Sequence, residues 1–116
     1  MTFYDKNGNA VCYTEDNVYI YSFDGTPIAY IHGNIVWSYS GLCLGWLHNY
    51  WILDLDGYYL FFSEYSTGGM IKPFKHLRPL KGLRRLRPLK SIRRIPSLRP
   101  YPKLRWSTLT ADDFFK

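Results

Sequence analysis

The sequence predicts an all-β fold: four tandem β-hairpin repeats forming an antiparallel meander, closed or nearly closed with pseudo-four-fold symmetry, followed by an extended basic tail resembling polyproline II. Three observations predict it. Four glycines, Gly8, Gly25, Gly41 and Gly57, recur at intervals of 17, 16 and 16 residues. Aromatic residues make up 19% of the chain, a composition suited to strands and to large packed side chains. From Ile71 onward every third residue is apolar, and the residue after it is almost always basic. The 116 residues suit one compact domain with an appendage. They divide into a four-repeat β domain (1–64), a Gly-containing linker (65–70), a basic triplet-repeat tail (71–107) and a short C-terminal segment (108–116).

The repeat is the first element to justify, because an overlooked repeat miscasts the whole fold. Three residues after the glycines stand Val11, Ile28, Leu44 and Leu60; five after stand Tyr13, Tyr30, Trp46 and Phe62. Alternation along a strand puts these two positions on one face. Between them lie Cys12, Ala29, Gly45 and Phe61, small in three of four cases, as expected where backbones crowd near a symmetry axis. Asn7-Gly8, Asp24-Gly25 and Asp56-Gly57 read as two-residue hairpin turns with both central residues at positive φ, and Ser40-Gly41 as a weaker version. Polar breaks at 15–17, 32–34 and 48–49 separate the two strands of a unit. Eight short strands suffice for a closed barrel, which hides its edges. The core of so short a head is thin, so support from the tail or from self-association is expected.

The succession Tyr4-Asp5-Lys6-Asn7-Gly8, Phe23-Asp24-Gly25-Thr26-Pro27-Ile28-Ala29-Tyr30, Leu44-Gly45-Trp46 and Asp54-Leu55-Asp56-Gly57, followed by Gly68-Gly69, Lys72-Pro73 and Trp106-Ser107, resembles the bacterial four-fold β-flower proteins. The similarity spans nearly the whole chain. It implies a β fold with pseudo-four-fold symmetry and carries no established activity with it.

The tail reads in threes, from Ile71 through Leu77 and Leu86 to Leu104, with a nine-residue echo between Leu77-Arg78-Pro79-Leu80-Lys81 and Leu86-Arg87-Pro88-Leu89-Lys90. A period of three drifts around an α-helix, and interior prolines remove helical hydrogen bonds. Polyproline II has three residues per turn and no internal hydrogen bonds, so one edge is apolar and another basic. A short triangular coil with a nine-residue turn is the competing geometry. Extended, the tail would span on the order of 110 Å. Its unbroken aliphatic spacing argues for an ordered element whose apolar edge lies against the acidic head or a neighbouring copy, driven by aliphatic burial and assisted by charge. Thr110 followed by Asp112 and Asp113 reads as the capped start of a helix.

Charge divides along the chain. Residues 1–69 carry a net −6, residues 70–107 a net +13 with no acidic residue, and the remainder −1. Arg78, Lys81, Arg84, Arg85, Arg87, Lys90, Arg93, Arg94, Arg99, Lys103 and Arg105 are therefore the candidate contacts to a protein partner or a polyanion, whether nucleic acid or an anionic membrane surface. No catalytic constellation emerges: Asp24 and Asp56 sit in turns that use their side chains locally, and Cys12 and Cys43 read as free, packed thiols. No cofactor is expected. Repeat symmetry offers one sharper arrangement, a ring of Glu15, His32, His48 and Glu64, each seven residues after its glycine, able to hold a zinc-like ion were the turns to converge. With no signal-peptide pattern and no apolar run of membrane-spanning length, the expectation is a cytoplasmic, non-catalytic interaction or structural module, associating with a protein partner or itself.

Overall fold

The computed structural model describes residues 1–116. Eight strands, β1 (Thr2–Tyr4), β2 (Ala10–Tyr13), β3 (Tyr19–Ser22), β4 (Pro27–His32), β5 (Ile35–Trp37), β6 (Cys43–His48), β7 (Trp51–Leu53) and β8 (Tyr58–Ser63), each pair antiparallel with the next. Phe3 and Tyr4 of β1 pair in turn with Ser63 and Phe62 of β8, which closes the meander into a barrel. Each repeat is one hairpin, a petal with its glycine at one end of the barrel. The whole is a disc with extents of 36 × 36 × 22 Å, two equal and one short, as four-fold symmetry requires.

The glycine turns differ from the sequence expectation. Gly8, Gly25, Gly41 and Gly57 have φ between +82° and +94°, but the residues before them do not share positive φ. Each glycine instead ends a four-residue turn, its N–H bonded to the carbonyl three residues back at Asp5, Ser22, Ser38 or Asp54. A register shift follows in every petal, between Phe3 and Tyr4 and at the three equivalent places. One extra residue in the loop thus becomes a bulge next to the turn. Asp54, rather than Asp56, serves the fourth turn, its Oδ1 accepting from the N–H groups of Asp56 and Tyr58. Paired positive-φ residues occur at the opposite end, at Gly33-Asn34 and Asn49-Tyr50.

Within each petal the residues nearest the axis face each other in register: Phe3 with Cys12, Ile20 with Ala29, Val36 with Gly45 and Ile52 with Phe61. Most are completely buried and form one cluster, so the small residue of each pair is the partner of a larger one across the hairpin. At Gly45 a Cβ would lie 2.2 Å from the Leu53 carbonyl oxygen. Adjacent petals pair only away from the glycine end, for example Cys12 with Ser22 and Tyr13 with Tyr21. At the glycine end they splay. Val11, Ile28, Leu44 and Leu60 therefore turn in to pack with the axial cluster, while Tyr13, Trp46 and Phe62 belong to outer aromatic clusters. The face these two positions were expected to share is divided by the splay.

The C-terminal segments close the open end. Strand β9 (Lys103–Trp106) runs parallel to the start of β8, beyond the point where β1 leaves it. Trp106 packs edge-on against Trp51 with centroids 5.9 Å apart, and the Ser107 hydroxyl donates to Asp54 Oδ2 at 2.6 Å. Helix α1 (Ala111–Phe114) begins with Thr110 as N-cap, in a reciprocal box with Asp113. It exists as a single turn because it drives Phe114 into the axial cluster against Phe61, where the ring is 3% exposed. No helix is long and apolar enough to cross a membrane.

Candidate interaction surface

Between the last petal and β9, residues 71–102 form a strip with no helix and no strand. No backbone hydrogen bond joins two residues of this strip; its bonds run to the petals. The N–H groups of His76, Arg85, Arg94 and Lys103 donate to the carbonyls of Gly8, Gly25, Gly41 and Gly57 at 2.8–2.9 Å. A nine-residue step along the strip thus matches one petal of the barrel. The carbonyls of Phe74, Leu83, Ile92 and Tyr101 approach the same glycines so closely that an added Cβ would lie 1.8, 1.9, 2.3 and 2.5 Å from them. These four positions need glycine twice over, for positive φ and for the approach of a second backbone. Gly82 and Ser91 add N–H donors to Phe23 and Tyr39, and the equivalent positions a nine-residue step outside them, Pro73 and Pro100, have no N–H to offer. The strip encircles the disc. A circle 36 Å across has a circumference of about 110 Å, of which the extended strip covers about 100 Å.

The basic side chains turn inward. The outer wall of the barrel is aromatic, and the cations of the strip lie over it: Lys75 over Tyr4, Lys81 over Tyr13, Arg84 over Tyr21, Lys90 over Tyr19 and Tyr30, Arg93 over Trp37, Arg99 over Trp46 and Lys103 over Tyr58. Arg87 makes the closest approach, 3.8 Å from the Tyr19 centroid, and donates to the Tyr21 hydroxyl. Every cation in these pairs comes from the strip or, for Lys103, from the start of β9, and every ring from the head. Acidic groups contribute little. The two salt bridges, from Lys81 and Arg84, both end on Glu15. The strip is held by ring faces and backbone hydrogen bonds rather than by an acidic head.

The aliphatic edge corrects the sequence reading. Every third residue from Ile71 to Tyr101 is 91–97% exposed, with Leu77 at 97%; only Leu104, inside β9, is lower, at 69%. None is locked against the head. The expected orientation is inverted because the wall is already apolar and aromatic and its ring faces attract cations, and because the petal carbonyls need the strip's N–H groups. With three residues per turn, placing one edge on the wall leaves the next facing water.

The eleven basic candidates separate accordingly. Arg78 reaches the Thr2 hydroxyl at 3.4 Å, and Lys81, Arg84, Arg87, Lys90, Arg93, Arg99 and Lys103 cover rings. The side chains of Arg85, Arg94 and Arg105 have neither a hydrogen-bonded nor a ring partner in the chain. The proposed metal ring does not assemble, and no group of three or more His, Cys, Asp or Glu side chains comes together anywhere. Its members meet the strip or the N-terminal strand instead. Glu15 accepts from Lys81, which holds its carboxyl below the usual range; His32 Nε2 lies 3.3 Å from Arg93; and His48 Nδ1 lies 3.3 Å from Arg99. Glu64 accepts from the Thr2 N–H at 2.8 Å. Divergence of the hairpin ends around the barrel keeps the four apart.

The remaining polar groups serve the frame. Asp24 accepts from Ser22 and from the Thr26 N–H, which hold its carboxyl down at about 2. Burial pushes both thiols up: Cys12 is enclosed in the axial cluster and Cys43 is partly covered. Burial also raises Tyr39 to about 12; its hydroxyl, like that of Tyr30, is buried without a partner beneath the strip. A cleft of about 500 Å³ lies there, floored by Tyr19, Tyr21 and Tyr39 and bridged by residues 85–90.

Sequence reasoning missed the docking glycines' second role and the inward turn of the cations. A signal for the latter was present: Tyr13, Tyr30 and Trp46 recur on one face of the strands, and a basic residue recurs in nearly every triplet. A family model described as "4-fold beta flower protein" matches residues 1–115. No curated protein and no solved structure matches the chain.

Proposed function

The chain belongs to the 4-fold beta flower protein family, whose description specifies a shape and no chemistry, and on that premise we propose that it is a non-catalytic interaction module whose contact surface is the outward aliphatic edge of the strip. The observation that carries the reading is the near-complete exposure of that edge over an unbroken run of triplets. Ordinary monomers expose apolar patches of a few hundred Å², whereas eleven such side chains present on the order of 1,500 Å². A fully buried Leu or Ile gains roughly 1.5–3 kcal/mol over an exposed one, so covering even part of the edge is worth a tight complex.

The test is a serine variant carrying Leu77→Ser, Leu80→Ser, Leu86→Ser, Leu89→Ser, Ile95→Ser and Leu98→Ser. It spares Phe74, Leu83, Ile92 and Tyr101, whose carbonyls meet the glycines, together with Ile71, and removes six of the eleven side chains of the edge. These side chains are 94–97% exposed, so the thermal unfolding midpoint changes little. The wild-type protein binds an environment-sensitive apolar dye, and the variant does not. A wild type that binds the dye no better than the variant overturns the reading. Nucleic-acid binding through the cations is the weaker alternative, because it rests on Arg85, Arg94 and Arg105 while the other cations serve the barrel. It would reveal itself by a steep loss of affinity with salt.

A further inference from the structure

Resting on that reading, we infer that the aliphatic edge is covered by the surface of an anionic lipid bilayer. Three observations select this occupant.

The first is uniformity. The edge is apolar in every triplet from residue 71 to residue 101, Leu or Ile at all but Phe74 and Tyr101 and exposed to nearly the same degree throughout, and the nine-residue docking repeat places it around the disc's circumference. A folded partner recognises a patch by shape and covers one arc. A bilayer needs no shape complementarity, and any arc of this rim can enter it.

The second is charge. The chain carries a net +6, and the strip itself +11 with two salt bridges, both ending on Glu15. Contact between the rims of two copies sets cation against cation, which disfavours a second copy as the occupant. Anionic headgroups supply the opposite sign. Arg85, Arg94 and Arg105 have no hydrogen-bonded or ring partner in the chain, Arg85 acting only weakly on the Asp24 carboxyl, and they adjoin Leu86, Ile95 and Leu104 in sequence, on stems long enough to reach headgroups while the aliphatics enter the acyl boundary.

The third is rigidity. The strip is fixed to the barrel by N–H donors at His76, Arg85, Arg94 and Lys103. Its apolar edge is ordered before any lipid is met. An amphipathic helix presents a basic face opposite an apolar one to the same interface; here a three-residue period does so, with some of its cations used inward to hold the ribbon.

The experiment uses the full chain and flotation with vesicles of phosphatidylcholine alone or of phosphatidylcholine with phosphatidylserine. The expected result is flotation with the anionic vesicles at an affinity at least about tenfold above that for the neutral ones. The six-serine variant loses flotation on both, with unchanged near-ultraviolet circular dichroism showing that its aromatic wall is intact. A second variant, Arg85→Gln with Arg94→Gln and Arg105→Gln, retains weak binding and loses the preference for phosphatidylserine. Two outcomes overturn the lipid inference while leaving the interaction module standing: a wild type that ignores both vesicles yet forms an oligomer that the serine substitutions dissolve, or dye binding that they abolish without any flotation to lose. Flotation unchanged by the serines also overturns it. A serine variant identical to wild type in flotation, sedimentation and dye binding removes both the lipid inference and the reading beneath it.

Discussion

Replacing Gly25 with alanine separates two demands that the structure makes on one residue. Gly25 has φ +94°, and a Cβ there would stand 1.9 Å from the Leu83 carbonyl oxygen and 2.6 Å from its carbon. Gly33, in the turn at the opposite end, has φ +61° and nothing within 4 Å of the same atom. Gly33→Ala therefore costs only the left-handed conformation, about 1–2 kcal/mol. Gly25→Ala costs that and more, because the strip must retreat by more than 1 Å. Two hydrogen bonds go with it, Arg85 N–H to the Gly25 carbonyl at 2.9 Å and Gly82 N–H to the Phe23 carbonyl at 2.7 Å. At about 0.5–1.5 kcal/mol each, they bring the total to about 2–5 kcal/mol. Denaturant titration of both variants measures the difference. Limited trypsin digestion locates it: Arg84–Arg85, a bond with no proline after it, becomes labile in Gly25→Ala, whereas Arg93–Arg94, docked at Gly41, changes little. Equal destabilisation of the two variants, with no new cleavage near Gly25, would refute the reasoning.

Other outcomes follow from the same contacts. Trypsin cuts the strip of the native wild type far more slowly than the strip of the denatured chain, although it holds eleven lysines and arginines; timed digestion with mass analysis gives the ratio. Gly45→Ala places a Cβ against the Leu53 carbonyl and the Phe114 ring, so it destabilises by about 1–3 kcal/mol in chemical denaturation and releases α1 from the axial cluster. His48 is held below its ordinary pKa, first by burial and then by Arg99, so the unfolded chain binds its proton more readily than the folded one. Its contribution is complete above about pH 6.5 and declines as pH falls toward the folded value. His48→Gln removes that part of the pH dependence, measured as the denaturant midpoint between about pH 5 and 8. Glu15, held low by Lys81 and Arg84, acts further down: its contribution is present above the ordinary glutamate range and is lost as pH falls through the folded value. Glu15→Gln flattens the acid side of the same curve.

Much of the frame was legible because backbone demands leave traces in residue type. Gly8, Gly25, Gly41 and Gly57 announce the four turns, and the small residues Cys12, Ala29 and Gly45 announce the axis. The turn type was misread because an Asp-Gly pair fits both a two-residue turn and a longer one; what decides is the capping group at Asp5, Ser22, Ser38 or Asp54 and the bulge that follows. The nine-residue echo of the strip was visible, but its meaning needs closure of the barrel, since only then does nine on the strip correspond to sixteen or seventeen on the head. The orientation of the strip was hidden for a different reason. Aliphatic residues are usually the buried ones, but Tyr19, Tyr21 and Trp37 give Arg87, Arg84 and Arg93 a flat, electron-rich seat, and the petal carbonyls take the strip's amides. The metal ring failed through the same geometry: repeat symmetry makes Glu15, His32, His48 and Glu64 equivalent without making them convergent.

Native-state hydrogen exchange along the strip tests the docked ribbon most directly. The amides of His76, Arg85, Arg94 and Lys103, each bonded to a petal glycine, are predicted to be protected with a nine-residue period, while those of Leu77, Leu86 and Ile95, which have no acceptor, exchange freely. Uniform exchange at the rate of an unstructured chain from residue 71 to residue 103 would contradict the encircling strip, and with it the exposed edge it presents.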